Sequence, residues 1–397
     1  MKVLHVLYQS HPNVSGSSTR SRAIIKSQKN IGLTPIVITS PFQVGCDQLN
    51  QTEVIDEVKY YRTYINDDSF TLAKTKGFYT RLRKFFSIFR FTKQLYDVAK
   101  AENISLIHSH AMFFCAFPAY LVSRLLGVKH VYEIRSDWSV NSNFTANKFT
   151  KFILGKLEQL ASKLADHLVV ISRGLEEKYS TFNQLITIVP NAVDDDVLNV
   201  GDMYEVPSKK DTLTMAYIGS VIELEGIEFV LESLKEIDKD KFNFLVVGDG
   251  KSLEKLKFMA KSYDLSNVEF LGKISPDSIP NLYKKIDIII NYRRNEPVAH
   301  SVTPLKPLEA MAYKKLVITS DVLGMTEIVT DNETGVVIPA DSPFLLRDKL
   351  EKIHLDFSVY QKVMINGASM VRKDKSWNSN AKLYKAIYSD LVKSSDK

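Results

Sequence analysis

The chain has 397 residues, 45% of them hydrophobic and 25% charged, with a formal net charge of +6. Those values fit a globular protein with room for two large α/β domains, and the charge is too mild to suggest nucleic acid as a partner. Cys46 and Cys115 lie far apart without metal-ligand spacing, so neither a disulfide framework nor a cysteine zinc site is expected, and a reducing cytoplasm is the expected compartment.

The N-terminus, MKVLHVLYQS, carries a short β-type run instead of a long apolar segment, and nowhere do 18 apolar residues run uninterrupted. Neither export nor a membrane span is therefore expected. The first strand leads into SHPNVSGSSTRSRA, a small-residue loop in which Gly16 lets backbone approach a ligand, followed by a helix carrying Arg20 and Arg22. An ordinary turn is the competing reading. After PIVIT comes a basic aromatic stretch, Lys74 to Lys100, in which Phe78, Leu82, Phe85 and Phe89 can form a buried helical stripe. Phe86, Ile88 and Phe91 fall off that stripe, and surplus aromatics among cations suit an anionic membrane surface.

The strand SLIHSH ends in His108 and His110 on one face, with no further metal ligand adjacent in sequence. His110 suits hydrogen bonding to a substrate or a developing charge. The next strand, HVYEIRSDW, delivers Glu133, Arg135, Asp137 and Trp138 to the same edge, where charges face a cleft more readily than a core. After HLVVIS and ITIVP, the run Asp194 to Asp196 contains a D-x-D pattern, read as a solvated turn and not as a metal site. The aperiodic segment Asn199 to Asp211 marks the expected boundary, giving domains of 1–200 and 201–397, with the final helix free to pack back on the first.

Five further strands follow: LTMAYIG, FNFLVVG, NVEFLG, DIIINY and LVITS. Alternation with helices predicts a Rossmann-like doubly wound sheet in each half, the two facing across a cleft with ligands at the carboxyl ends of the strands. Gly219 with Ser220, Gly248 to Gly250, and Gly272 to Ile274 place three glycine turns on one edge. Arg293 and Arg294 precede TPLKPLEAMA, whose prolines suit a helix start. Arginine forks, Lys306 and a helix N-terminus form a diphosphate clamp, and Glu309 can accept hydrogen bonds from a ribose diol.

In this order, the small-residue loop, VPNAVD, YIGS, VGDG, FLGKI, LEAMA and DNETGVVIP resemble the retaining nucleotide-sugar glycosyltransferases of family four, which have the GT-B fold. The resemblance covers nearly the whole chain. YEIRSDW, GSVIELEG and TPLKPLEAMA resemble a bacterial branch associated with surface polysaccharides such as capsule and lipopolysaccharide. It implies a nucleotide-diphosphate sugar as donor, a glycan or lipid-linked acceptor, no cofactor, no metal, and a location at the inner face of the plasma membrane. Glu309 would bind the donor ribose, Gly16 would lie beside the diphosphate and His110 near the transferred sugar. Ser220, Gly250 and Ile274 would line the nucleotide, and Arg135 would join His110. Two departures stand out: Ser301 replaces the first glutamate of the paired motif, and Ser220 and Glu225 replace the cations after the GS turn. Arg293 and Lys306 are expected to compensate. The alternatives are a GT-B epimerase or phosphorylase, and a catalytically silent nucleotide-sugar binding subunit.

Overall fold

The computed structural model describes residues 1–13, 15–43, 52–63, 78–137 and 148–394, so Trp138 and the start of the basic aromatic stretch lie outside the described residues. It has two compact units, Met1–Pro190 with Trp377–Lys397, and Asn191–Ser376.

The first unit is built on β1 (Lys2–Leu7), β2 (Thr34–Thr39), β3 (Thr52–Ile55), β4 (Val58–Tyr61), β5 (Leu106–His110), β6 (Lys129–Ile134), β7 (His167–Val170) and β8 (Ile186–Ile188). Their order is β3-β4-β2-β1-β5-β6-β7-β8, parallel except for the β3–β4 pair. Helices α1 (Gly16–Asn30), α2 (Phe78–Ala101), α3 (Phe113–Leu126), α4 (Lys148–Leu164) and α5 (Arg173–Tyr179) connect them. The central strands are buried on both faces, which is why VLHVLY and PIVIT read as continuous apolar runs.

The second unit opens with α6 (Asp195–Asp202) and carries β9 (Leu213–Ile218), β10 (Phe242–Val247), β11 (Val268–Gly272), β12 (Ile288–Asn291), β13 (Leu316–Ser320) and β14 (Val336–Ile338). They form an all-parallel sheet in the order β11-β10-β9-β12-β13-β14. Between them run α7 (Ile227–Leu234), α8 (Leu253–Ser262), α9 (Ile279–Tyr283), α10 (Pro297–Ser301), α11 (Lys306–Ala312) and α12 (Leu323–Thr326). After β14 come α13 (Pro343–Leu355), α14 (Gln361–Asp374) and α15 (Trp377–Lys393). The last of these packs on α1 in the first unit.

All eleven strands read from the sequence are present. The hairpin β3–β4 and the short β14 are additions. The hairpin turns through Asp56 and Glu57, both at positive φ, without the glycine or asparagine that would have announced such a turn. The units divide at Pro190, earlier than the aperiodic segment suggested, because Asp195–Asp202 is helical and its Gly201 lies so close to α11 that a Cβ there would meet the Ala312 carbonyl at 2.2 Å.

Of the stripe expected along α2, the side chains of Phe78, Leu82 and Phe85 lie outside the described residues, and its Phe89 member is corrected. Phe89 is exposed, whereas Phe91 is core, and the buried line runs through Ser87, Phe91, Leu95 and Ala99. These residues sit four apart, one above another on a single face.

Candidate active site

In the second unit, the carboxyl ends of parallel strands gather backbone turns. Gly219 after β9 and Gly248 after β10 sit at φ 153° and 136°, a region that L side chains rarely adopt. Their backbones interlock: the Gly219 N–H donates to Val247 O at 2.7 Å, and the Gly248 N–H to Gly272 O at 2.8 Å. A Cβ on Gly248 would lie 1.7 Å from Gly219 O, and one on Gly250 would lie 2.2 Å from Val221 O. Ser220 is exposed at this edge, with its carbonyl accepting from the Tyr217 hydroxyl at 2.7 Å. Ile274 is half-buried beyond the third turn.

Lys306, at the start of α11, crosses the first turn. A Cβ at Gly219 would lie 1.4 Å from its Nζ, which donates to Tyr217 Oη at 3.0 Å. Burial pulls the Lys306 pKa down, against Glu225, which raises it. Glu309, one turn on, has no side-chain hydrogen bond among the described residues. Burial pushes its carboxyl up to about 7, opposed by Lys306 and reinforced by Asp194. With seven residues α11 contributes little macrodipole, so the fixed charge of Lys306 outweighs the helix end as an anion attractor.

Arg293 is largely committed. One Nη donates to Glu225 Oε1 at 3.2 Å and the other to the Val302 carbonyl at 3.0 Å, while its Nε and Glu225 Oε2 are buried without partners. The Glu225 pKa is lowered: burial raises it, but Arg293 and Lys306 together outweigh that. Arg294 is held by Glu223 and Glu228. Ser301 is buried and donates to Val298 O at 3.2 Å. Asp194 caps α6, and Asp195 and Asp196 fill its first turn, where acidic side chains suit the helix dipole.

The first unit holds a second polar cluster, at the carboxyl ends of β5 and β6. Glu133 is fully buried, with Oε1 accepting from Arg20 Nε at 3.0 Å and Arg135 Nε at 2.7 Å. Its Oε2 accepts from Tyr384 Oη at 2.5 Å. Burial raises the Glu133 pKa, but the two guanidiniums hold it well below the usual carboxylate range. Gly16 is exposed at the head of α1 beside Ser17, whose carbonyl accepts from Arg135 at 2.8 Å.

From Arg135 a directed chain of hydrogen bonds follows. An arginine can only donate, so His110 Nδ1 accepts at 2.6 Å. Burial pushes the His110 pKa down to about 4, so the ring is neutral and its Nε2–H donates to His5 Nδ1 at 2.9 Å. His5 then donates to Gln28 Oε1 at 3.0 Å, Gln28 to Tyr388 Oη at 2.9 Å, and Tyr388 to His108 Nδ1 at 2.6 Å. His108 Nε2 lies 3.5 Å from Glu133 Oε2 without a hydrogen bond, so the chain ends beside the anion from which it began.

Sequence reading missed His5, Gln28, Tyr384 and Tyr388. For His5 the sequence held no local signal: the parallel pairing of β1 with β5, seen in the structure, sets it opposite His108. His5, His108 and His110 place ligand atoms within 4.8 Å of one another. A metal there would have to break the His5–His110 bond and sit among two arginines, so the set reads as a hydrogen-bond network.

Two family models match in succession: Glycosyltransferase Family 4 over residues 61–197 and Glycosyl transferases group 1 over residues 202–370. The chain belongs to the GT-B glycosyltransferases. An uncharacterized glycosyltransferase of Methanocaldococcus jannaschii is 24% identical to it over 298 residues, covering 74% of this chain and 78% of that one. The capsular polysaccharide biosynthesis glycosyltransferase CapM of Staphylococcus aureus is 26% identical over 271 residues, 64% and 69% of the two chains. The Anabaena protein Alr3699/HepE, solved in complex with UDP, superposes with a TM-score of 0.75 at 14% identity, covering 98% of this chain and 100% of that one.

In this glycosyltransferase, Glu133→Gln leaves two buried guanidiniums without their anion. Stability should fall by about 3–5 kcal/mol, the range for breaking a buried ion pair, as read from urea unfolding. A loss under about 1 kcal/mol would show that the cluster is well solvated.

Proposed function

We propose that this chain transfers a sugar, with retention at the anomeric carbon, from a nucleotide-diphosphate sugar to a glycan or lipid-linked acceptor in building a bacterial surface polysaccharide. The observation that carries the reading is Lys306 lying over the Gly219 turn with the unpartnered Glu309 carboxyl one helical turn away. Lys306 would meet the diphosphate and Glu309 the ribose hydroxyls, with Gly250 and Ile274 along the nucleoside. Arg293 would act mainly by fixing Glu225. The leaving diphosphate would be stabilised by Lys306 and turn N–H groups in place of a divalent ion. On the first unit His110 and Arg135 would face the transferred sugar beside Gly16. Both His110 ring nitrogens are bonded, so its part would be to orient Arg135.

The surface-polysaccharide setting is supported by the CapM likeness. A second reading, a silent binding subunit, draws on Glu225 and Ser301 where the family resemblance expects a cation and a glutamate. A panel of UDP-, GDP- and CMP-sugars separates the two: transfer or slow hydrolysis supports the enzyme, and binding without turnover supports the subunit.

Lys306→Ala should weaken nucleoside-diphosphate binding by about 1.5–3 kcal/mol; parental affinity would remove Lys306 from the site. Glu309 must be ionised to accept two hydroxyls, and its pKa is about 7. Affinity should therefore rise roughly tenfold from pH 6 to pH 8. Glu309→Gln should abolish that limb, separating it from titration of the phosphate itself. Transfer should survive excess EDTA; loss restored by Mn²⁺ would redirect attention to Asp194–Asp196.

The acceptor side is proposed to dock on an anionic membrane surface. The Lys74–Lys100 stretch contributes Arg83, Phe86, Phe89 and Arg90, all exposed. Helix α4 adds more: Phe149 and Phe152 are 70% and 60% exposed, and Ile153 and Leu160 join them on one face with Lys148, Lys156 and Lys163. Its acidic residue, Glu158, points inward to Tyr132. An apolar face turned outward, bearing cations and no acid, fits anionic lipid. Sedimentation with anionic liposomes should fall as salt rises, and fall further in a Phe149→Ser, Phe152→Ser, Lys156→Ser variant. Equal sedimentation by parent and variant at low salt would point to a soluble acceptor.

A further inference from the structure

The second unit has a pocket of about 540 Å³ at the amino ends of its strands, the edge opposite the Lys306 site. Lys315 directly precedes β13 and Asp287 directly precedes β12, so strands of four and five residues, roughly 15 Å of chain, separate this edge from the other. Val200, Met203, Val206, Pro207 and Pro280 give the pocket apolar walls. A volume of this size holds a small organic molecule.

The charges inside are unequal in their commitments. Lys210 is spent on Asp287 at 2.6 Å, and the other Asp287 oxygen takes the Thr214 N–H at 2.9 Å. Lys315 is only 4% exposed, and its ammonium has no hydrogen-bond acceptor among the described residues; the Tyr204 ring lies 5.5 Å away and the Asp287 carboxylate acts on it without bonding it. Lys284, at the rim, has no anionic partner among them either. A lysine whose stem is buried and whose ammonium opens on the pocket offers its donors to an acceptor that enters there. Burial accordingly draws the Lys315 pKa down to about 8, which still leaves it charged at neutral pH.

We propose that this pocket binds a phosphate monoester carried on a flat apolar body, with Lys315 and Lys284 on the phosphate oxygens and the body against the apolar walls. Two free ammonium groups match a dianion, and the exposed Glu205 at the rim disfavours anything longer and more acidic. The site is separate from donor recognition and does not rest on it. A ligand here would touch the segment that Lys314 anchors, donating to Asp202 O at 2.9 Å and Tyr204 O at 2.7 Å, at the foot of α11.

The test is calorimetric titration of the full chain with phenyl phosphate, with phenol as the uncharged control and inorganic phosphate as the bodiless one. Phenyl phosphate should bind more tightly than either. Lys315→Met should weaken it at least about tenfold, while Lys306→Met and saturating UDP should leave it unchanged. Lys315→Met without ligand should unfold no lower than the parent, because methionine keeps the apolar stem and burial disfavours the lysine charge more than Asp287 favours it. The exposed Lys284→Gln should weaken binding a few-fold and gives a readout independent of folding at Lys315. No uptake at about 10 mM, parental affinity in Lys315→Met or in Lys284→Gln, or displacement by UDP would each overturn the proposal.

Discussion

The first unit is organised around one carboxylate. Glu133 has no exposed surface and could not remain ionised there without Arg20 and Arg135 on one oxygen and Tyr384 on the other. Arg20 comes from α1, Tyr384 from α15 and Arg135 from just past β6, so neutralising the one charge on β6 ties α1 and α15 to that strand. Arg20 also donates to the Val189 and Pro190 carbonyls, which fixes the chain where it leaves the unit. The histidines follow from the same charge. Arg135 can only donate, and that single constraint sets the tautomer of His110, then of His5, and the direction of every bond round to His108.

The second unit solves a related problem with opposite signs. Glu225 stands where the family resemblance expects a cation, and a bare buried carboxylate there would repel the diphosphate proposed to bind at the turns. Arg293 lies against it at 3.2 Å and Lys306 is close enough to shift its pKa. The triad of one anion and two cations keeps a net positive charge beside Gly219. Part of that charge is spent on Glu225, which leaves Lys306 as the group free to meet a ligand.

The legible parts of the fold were those set by short-range pattern. Runs such as FNFLVV and DIIINY have too many β-branched and apolar residues for anything but buried strands, and glycines ending LTMAYIG, FNFLVVG and NVEFLG marked one edge of the sheet. Pairing across the sheet was not legible. His5 looked like one polar residue in an apolar strand because its partners are 105 and 23 residues away. Nor was the register of α2: Phe78 to Phe91 mixes aromatics and cations so that more than one apolar stripe can be drawn, and Leu95 and Ala99, further along, continue the one through Phe91 that is buried. Glu225 and Arg293 could be recognised as departures or substitutes one at a time, but that they face each other depends on β9 and β12 being neighbours in the sheet.

The same strand order explains why one edge of the second sheet collects backbone and the other collects side chains. At the carboxyl edge, glycines at positive φ bring turns so close that a single Cβ would collide, which exposes N–H groups and excludes bulk. At the amino edge the residues just before β12 and β13 are Asp287 and Lys315, charged side chains that line the cavity at the sheet end. α11 spans the two, with Lys306 and Glu309 in its first turn and Lys314 and Lys315 just past its last. Each end of this short helix has its own seat: Lys306 bonds Tyr217 at the carboxyl edge, and Tyr313, just past its last residue, packs edge-on against Tyr204 at 4.9 Å.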